Sequence, residues 1–168
     1  MAGGDPLKRL FAFIFAIMCF GVMVGCSEKE ASEKELVVYS FSGSDGQIAV
    51  SNGVIVMSPD KDVFYGGDLE VFNEELCTDI ASYSTTFYTM NKGKRNTILS
   101  NSVVDQTDGS ANVAGDLGKM SGANLLIGNK VDASEDLLHS LFFELRITPI
   151  NGEQRVYEVQ MEVTEITD

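Results

Sequence analysis

Few side chains in this 168-residue sequence could do chemistry, and their spacing limits what that chemistry is. There is one histidine, His139, and there are three cysteines, Cys19, Cys26 and Cys77. A zinc site built on several histidines is excluded, and so is an HExxH helix. A Ser/His/Asp triad would have to use His139, and no partner for it is in view, so His139 reads as a surface or cap residue. Carboxylates are more numerous, and some cluster in expected loops: Asp60 with Asp62, Asp105 with Asp108, and Asp132 with Glu135 and Asp136. Calcium takes roughly six to eight hard oxygen ligands, and loop aspartates often supply them. Asp105-Gln106-Thr107-Asp108-Gly109 is the best such segment, which makes Asp105 and Asp108 the candidate metal ligands. No cluster has EF-hand spacing, and the plainer expectation is solvated turn and cap residues.

Two short motifs fail on context. Ser58-Pro59-Asp60-Lys61 matches the SxxK of penicillin-binding enzymes, but that serine must start a helix and here it sits in a turn between strands. Gly122 to Lys130, GANLLIGNK, places Asn129 between its last glycine and Lys130, whereas a P-loop needs the two adjacent so that amides and ammonium meet the same phosphates.

Charge narrows the partners. With 25 acidic and 12 basic residues the net charge is −13, which excludes a nucleic-acid surface and docking on anionic lipid through basic patches. The apolar content, 44 %, is that of a globular chain, and the length suits one domain.

The N-terminus reads as an address. After MAGGDP, which a later start codon would account for, comes the basic step Lys8-Arg9. An uncharged apolar run follows from Leu10 to Val24, LFAFIFAIMCFGVMV, then Gly25, Cys26 and the polar SEKEASEKE. Basic, apolar and small-residue regions in that order form a secretory signal, and the run is shorter than the roughly 20 residues of a spanning helix. Met23-Val24-Gly25-Cys26 resembles the lipobox of bacterial lipoproteins, with Met23 where that family usually has leucine. The resemblance implies cleavage before Cys26 and lipidation of its thiol, which would hold the protein at the extracytoplasmic face of the bacterial membrane. Loss of residues 1–25 would remove Asp5, Lys8 and Arg9 and move the net charge to −14. With Cys19 gone and Cys26 acylated, Cys77 has no partner for a disulfide and reads as a small buried apolar residue. Residues 26–35 form a charged tether, and the nine residues after Cys26 span at most ~30 Å.

From residue 36 to 168 the apolar pattern has period two, broken by turn residues. Strands are expected at Leu36–Phe41, Gln47–Val50, Val54–Met57, Val63–Tyr65, Asp68–Phe72, Ala81–Met90 and Asn96–Val104, with weaker ones near Ala111–Ala114 and Asn124–Ile127. Asn52-Gly53 is read as a hairpin turn, since both residues tolerate positive φ. Ser134 to Leu138 is read as one helical turn. Phe142–Thr148 and Val156–Thr164 read as a hairpin, its faces cleanly divided: Phe143, Leu145 and Ile147 against Glu158, Gln160 and Glu162. In the Ala81–Met90 strand, Tyr83 and Phe87 are expected in the core and Tyr88 exposed. The fold expected is therefore all-β, an antiparallel β-sandwich of immunoglobulin-like or jelly-roll-like kind behind an N-terminal signal helix, with a closed barrel as the alternative.

The segments FSGSDG, SNGVIVM, VFYGGDLEV and YSTTFYT, with the final FFELRIT and VYEVQMEV, resemble small uncharacterised lipoproteins of Gram-positive bacteria. That resemblance implies a surface β domain and no site residues. The expectation is a membrane-anchored interaction module, not an enzyme, with no cofactor. Its partners would be the membrane, through lipidated Cys26, and a protein or envelope polymer. Two alternatives stay open: a small carboxylate- or metal-dependent hydrolase, and a ligand-binding accessory lipoprotein of a transporter.

Overall fold

The computed structural model describes residues 36–73, 75, 78–104, 112–122 and 137–167, all within the second of two compact units, Glu35–Asp168. Among these residues there are eleven strands: β1 Val37–Ser44, β2 Ile48–Met57, β3 Asp62–Tyr65, β4 Asp68–Val71, β5 Ile80–Asn91, β6 Lys94–Val104, β7 Gly115–Asp116, β8 Lys119–Gly122, β9 Leu141–Pro149, β10 Arg155–Gln160 and β11 Glu162–Glu165. They form two antiparallel sheets, packed as a sandwich and not closed as a barrel. One sheet runs β11-β1-β2-β3-β8, with β4 beside β2 and β7 beside β4; the other runs β10-β9-β5-β6.

Turn chemistry sets the connections. Between β1 and β2 the Asp45 carboxylate accepts from the amides of Gln47 (2.8 Å) and Ile48 (2.9 Å), and Gly46 takes φ 85°. Lys92 and Gly93, with φ 49° and 76°, make the two-residue β5–β6 turn whose twist matches its strands. Ser58 and Lys61 close the β2–β3 turn: the Ser58 hydroxyl donates to the Lys61 carbonyl and accepts from its amide at 3.0 Å.

Asn52-Gly53 does not turn the chain, contrary to expectation. It kinks the single strand β2, with Asn52 at φ 58°. The half before the kink pairs with β4 and the half after it with β3. Gly66-Gly67 kinks the neighbouring strand between β3 and β4, and Leu117-Gly118 does so between β7 and β8. The Gly66 amide donates to Gly118 and the Leu117 amide to Gly67, both at 2.9 Å, so the ladder continues across the breaks. On the other side, β1 shifts register between Phe41 and Gly43. A crease thus crosses four rows of the larger sheet. It exists because large side chains occupy its inside. A Cβ on Gly53 would lie 2.2 Å from the Phe41 ring, and one on Gly66 would lie 2.9 Å from Phe87.

The core lies between the sheets. Phe41 and Phe64 from one sheet meet Phe87 and Phe143 from the other, with successive ring centroids 4.9–5.6 Å apart. Ile48, Ile55, Ile80, Leu137, Leu141, Leu145 and Ile147 surround them, all buried. The expected final hairpin is present, but its second strand changes sheets at Met161. That side chain is buried, its amide donates to Leu141 at 2.9 Å, and the chain continues as β11 beside β1. This crossing closes one side of the sandwich. The helical turn includes residues 137–140 and leaves His139 exposed, while residues 124–127 lie outside the described residues.

Candidate interaction face

The smaller sheet turns its odd positions of β9 inward and presents the even ones, Phe142, Glu144, Arg146 and Thr148, on its outer face. Register places the rest. Across β10, β9, β5 and β6 the rows on that face are Val156–Arg146–Ser84–Ser102, then Glu158–Glu144–Thr86–Ser100, then Gln160–Phe142–Tyr88–Thr97. Two carboxylates therefore stand directly opposite each other, Glu144 and Glu158, an arrangement that is destabilising by itself.

Both are answered. Arg95 binds Glu144 through two nitrogens, at 2.7 and 3.0 Å, and Arg146 does so from the other side, at 2.7 and 2.9 Å. Such forked pairs are charge-assisted and geometrically fixed. Glu158 accepts the Tyr88 hydroxyl. Tyr88 itself stacks on Phe142 with centroids 5.5 Å apart, and the Arg95 guanidinium lies 3.7 Å above its ring. Tyr88 is consequently 3 % exposed, although it points away from the core; the expectation of an exposed Tyr88 had the face right and missed the arginine lid.

Electrostatics follows from these contacts. Hydrogen bonds from Arg95 and then Arg146 hold the Glu144 carboxyl at about 2, well below its ordinary value, against the opposing effect of burial. Burial and the bond to Glu158 push the Tyr88 phenol up. Glu144 is thus fixed as an anion and Tyr88 as a neutral hydroxyl, and neither is poised to exchange a proton near neutrality. The arrangement suits binding. The side chains of Arg95 and Arg146 keep 33 % and 41 % exposure while Glu144 holds both guanidiniums in a fixed orientation. Beside Arg146 a depression of about 150 Å³ is lined by Ser82, Ser84, Ser102, Thr148 and Gln154.

Cys26, Cys77, Asp105, Asp108, Asp132, Glu135 and Asp136 lie outside the described residues. Asp62 is buried at the start of β3, apart from exposed Asp60. Among the described residues no group of three or more His, Cys, Asp or Glu side chains is placed to hold a metal ion, and no helix is long and apolar enough to cross a membrane. The arginine–glutamate cluster was not foreseen. Its sequence signal is the pair Glu144 and Arg146, two charges two residues apart inside FFELRI; Arg95 is 49 residues away and arrives only through the β5–β6 and β5–β9 registers. The chain matches no family model, no curated protein and no solved structure.

Proposed function

We propose that the protein is a lipid-anchored extracytoplasmic interaction module that engages carboxylate or phosphate groups of a protein or envelope polymer. The observation that carries the binding role is the pair of half-exposed arginine side chains, Arg95 and Arg146, whose guanidiniums are locked on one buried carboxylate, Glu144, and keep it ionised. The anchor rests on the lipobox-like Met23-Val24-Gly25-Cys26 and the charged tether after it.

Fractionation of expressing cells, with chemical cross-linking, tests both halves. The unmodified chain should sediment with membranes and give cross-links to a molecule other than a second copy of itself, and these are the cross-links that count here. Cys26→Ser should leave the membrane fraction. The double variant Arg95→Ala with Arg146→Ala should stay in the membrane fraction and lose the cross-links. A Cys26→Ser chain that remains bound after signal cleavage would overturn the anchor, and unchanged cross-links in the arginine variant would overturn the face.

One cavity favours a second reading, that of a ligand-binding accessory lipoprotein. It measures about 360 Å³ and is lined by Tyr83, Thr85, Asn101, Val113 and Leu117 on the side of the sandwich away from the β10–β11 crossing. That volume is at the lower end for small-molecule sites.

A further inference from the structure

Edge strands offer unpaired amides and carbonyls to any other strand, and proteins usually blunt them with charge or shortness. Three of the described edges here do so. β11 carries Glu162 and Glu165, β10 carries Arg155 and Glu158, and the β7–β8 edge consists of two short strands bearing Asp116 and Lys119. β6 departs from this pattern. After Lys94 and Arg95 it runs from Asn96 to Val104, NTILSNSVV, with no charge, proline or glycine. Its end is exposed, including Val103 at 41 % and Val104 at 66 %. A long, uncharged, β-prone edge is an aggregation hazard unless something regularly covers it.

The occupant is indicated by the order of residues. Ile98 is buried within the bulge opposite Phe87 and Tyr88, so regular edge geometry begins at Leu99. From there the strand reads Leu99-Ser100-Asn101-Ser102-Val103, which is self-complementary about Asn101. Leu99, Asn101 and Val103 share the inward face, opposite Phe87, Thr85 and Tyr83; Ser100 and Ser102 share the outer face, opposite Thr86 and Ser84. We propose that β6 pairs antiparallel with β6 of a second copy of this chain, about a two-fold axis at Asn101. Leu99 of each copy then meets Val103 of the other, Ser100 meets Ser102, and the two Asn101 residues face each other. Every pair is alike in polarity, which suits an isologous interface. The seam holds no charge, so the net −13 of each chain is not concentrated where the copies touch. Two four-stranded sheets become one of eight strands, and two Arg95–Arg146 faces lie on the same side of it. The pairing does not depend on the lipid anchor or on the ligand of that face.

Position-specific disulfide formation tests this. In the full chain, purified in mild detergent with Cys19, Cys26 and Cys77 replaced by serine, Asn101→Cys should cross-link to a dimer under mild oxidation. Directly paired residues of antiparallel strands have Cα atoms about 4.5–5.5 Å apart, within disulfide range. Leu99→Cys alone should not cross-link, because its mate lies four residues away, roughly 13 Å along the strand. Leu99→Cys combined with Val103→Cys should. Adding Ser100→Lys and Ser102→Lys to Asn101→Cys should abolish the cross-link while the circular dichroism spectrum stays unchanged. Absence of a dimer from a folded Asn101→Cys chain, equal cross-linking at 99 and 101, or indifference to the lysines would overturn the proposal. So would oxidation in whole cells that joined the Asn101→Cys chain to a different polypeptide.

Discussion

Glu144 is a charged residue that is nearly buried on the solvent side of a sheet, and the reason is local. Its own strand supplies Arg146, a hairpin supplies Arg95, and the Tyr88–Phe142 stack walls the remaining side. A carboxyl held at about 2 when folded and near its ordinary value when unfolded makes folding depend on pH in one direction. Its stabilisation is complete above the unfolded value and is lost as pH falls through the folded one. Between about pH 4.5 and 2, urea denaturation should show this protein losing on the order of 3 kcal/mol from this residue alone. Glu144→Gln should flatten that acid limb and lower stability at neutral pH by about 1–3 kcal/mol, since two guanidiniums would remain without their anion. An acid limb of unchanged depth in the variant would assign the loss to other carboxylates. This site was hardly legible beforehand. Alternation placed Glu144 on the wet face, but no local pattern carries the register that aligns Arg95, Tyr88 and Glu158 with it.

Strand existence was far easier to read than strand pairing, and the glycines show why. Period two marks which residues face the core, and the β1, β2 and β9 segments follow it, the β2 alternation resuming after the Asn52-Gly53 kink. Asn52-Gly53 signals positive φ, which is equally the requirement of a hairpin turn and of a kink inside a strand. What decides between them is long-range: the Phe41 ring occupies the space over Gly53, and Gly66-Gly67 provides a matching break next door. Substitution separates the two kinds of glycine. At Gly93, a true turn residue with φ 76° and open space around it, alanine should cost about 1 kcal/mol, the conformational penalty alone. At Gly67, with φ 78° and the Ser51 carbonyl 2.0 Å from a new Cβ, alanine should cost several times as much, about 3 kcal/mol or more. Urea midpoints of Gly93→Ala and Gly67→Ala measure the difference. Equal midpoints would mean that the crease relaxes as freely as a turn.

At the scale of the whole molecule the question is what makes two sheets one folding unit. The chain passes between the sheets at β4–β5, β6–β7, β8–β9 and β10–β11, and at the last of these, Met161, one strand runs on directly from β10 to β11. Through the middle the joint is the run of four phenylalanine rings, and Phe87 is its hub. It touches Phe143 in its own sheet at 4.9 Å and reaches Phe64 and Phe41 in the other at 5.0 and 5.6 Å. It also fills the space that Gly66 leaves in the crease, so the larger sheet is bent around a side chain of the smaller. With no tryptophan in the chain, these rings and the buried Tyr39 supply much of the aromatic packing between the layers. Phe87→Ala should therefore lower stability by about 3–5 kcal/mol, the range for deleting a buried aromatic ring, near the upper end because a crease built around the ring collapses poorly. The loss should fall on both sheets together. In urea, the near-ultraviolet signal of the aromatic core and the far-ultraviolet signal of the strands should keep coincident midpoints in the variant, both at lower urea. A far-ultraviolet transition that split in two would show the sheets unfolding separately once Phe87 is gone, and would mean that the remaining rings and the intact Met161 crossing do not couple them.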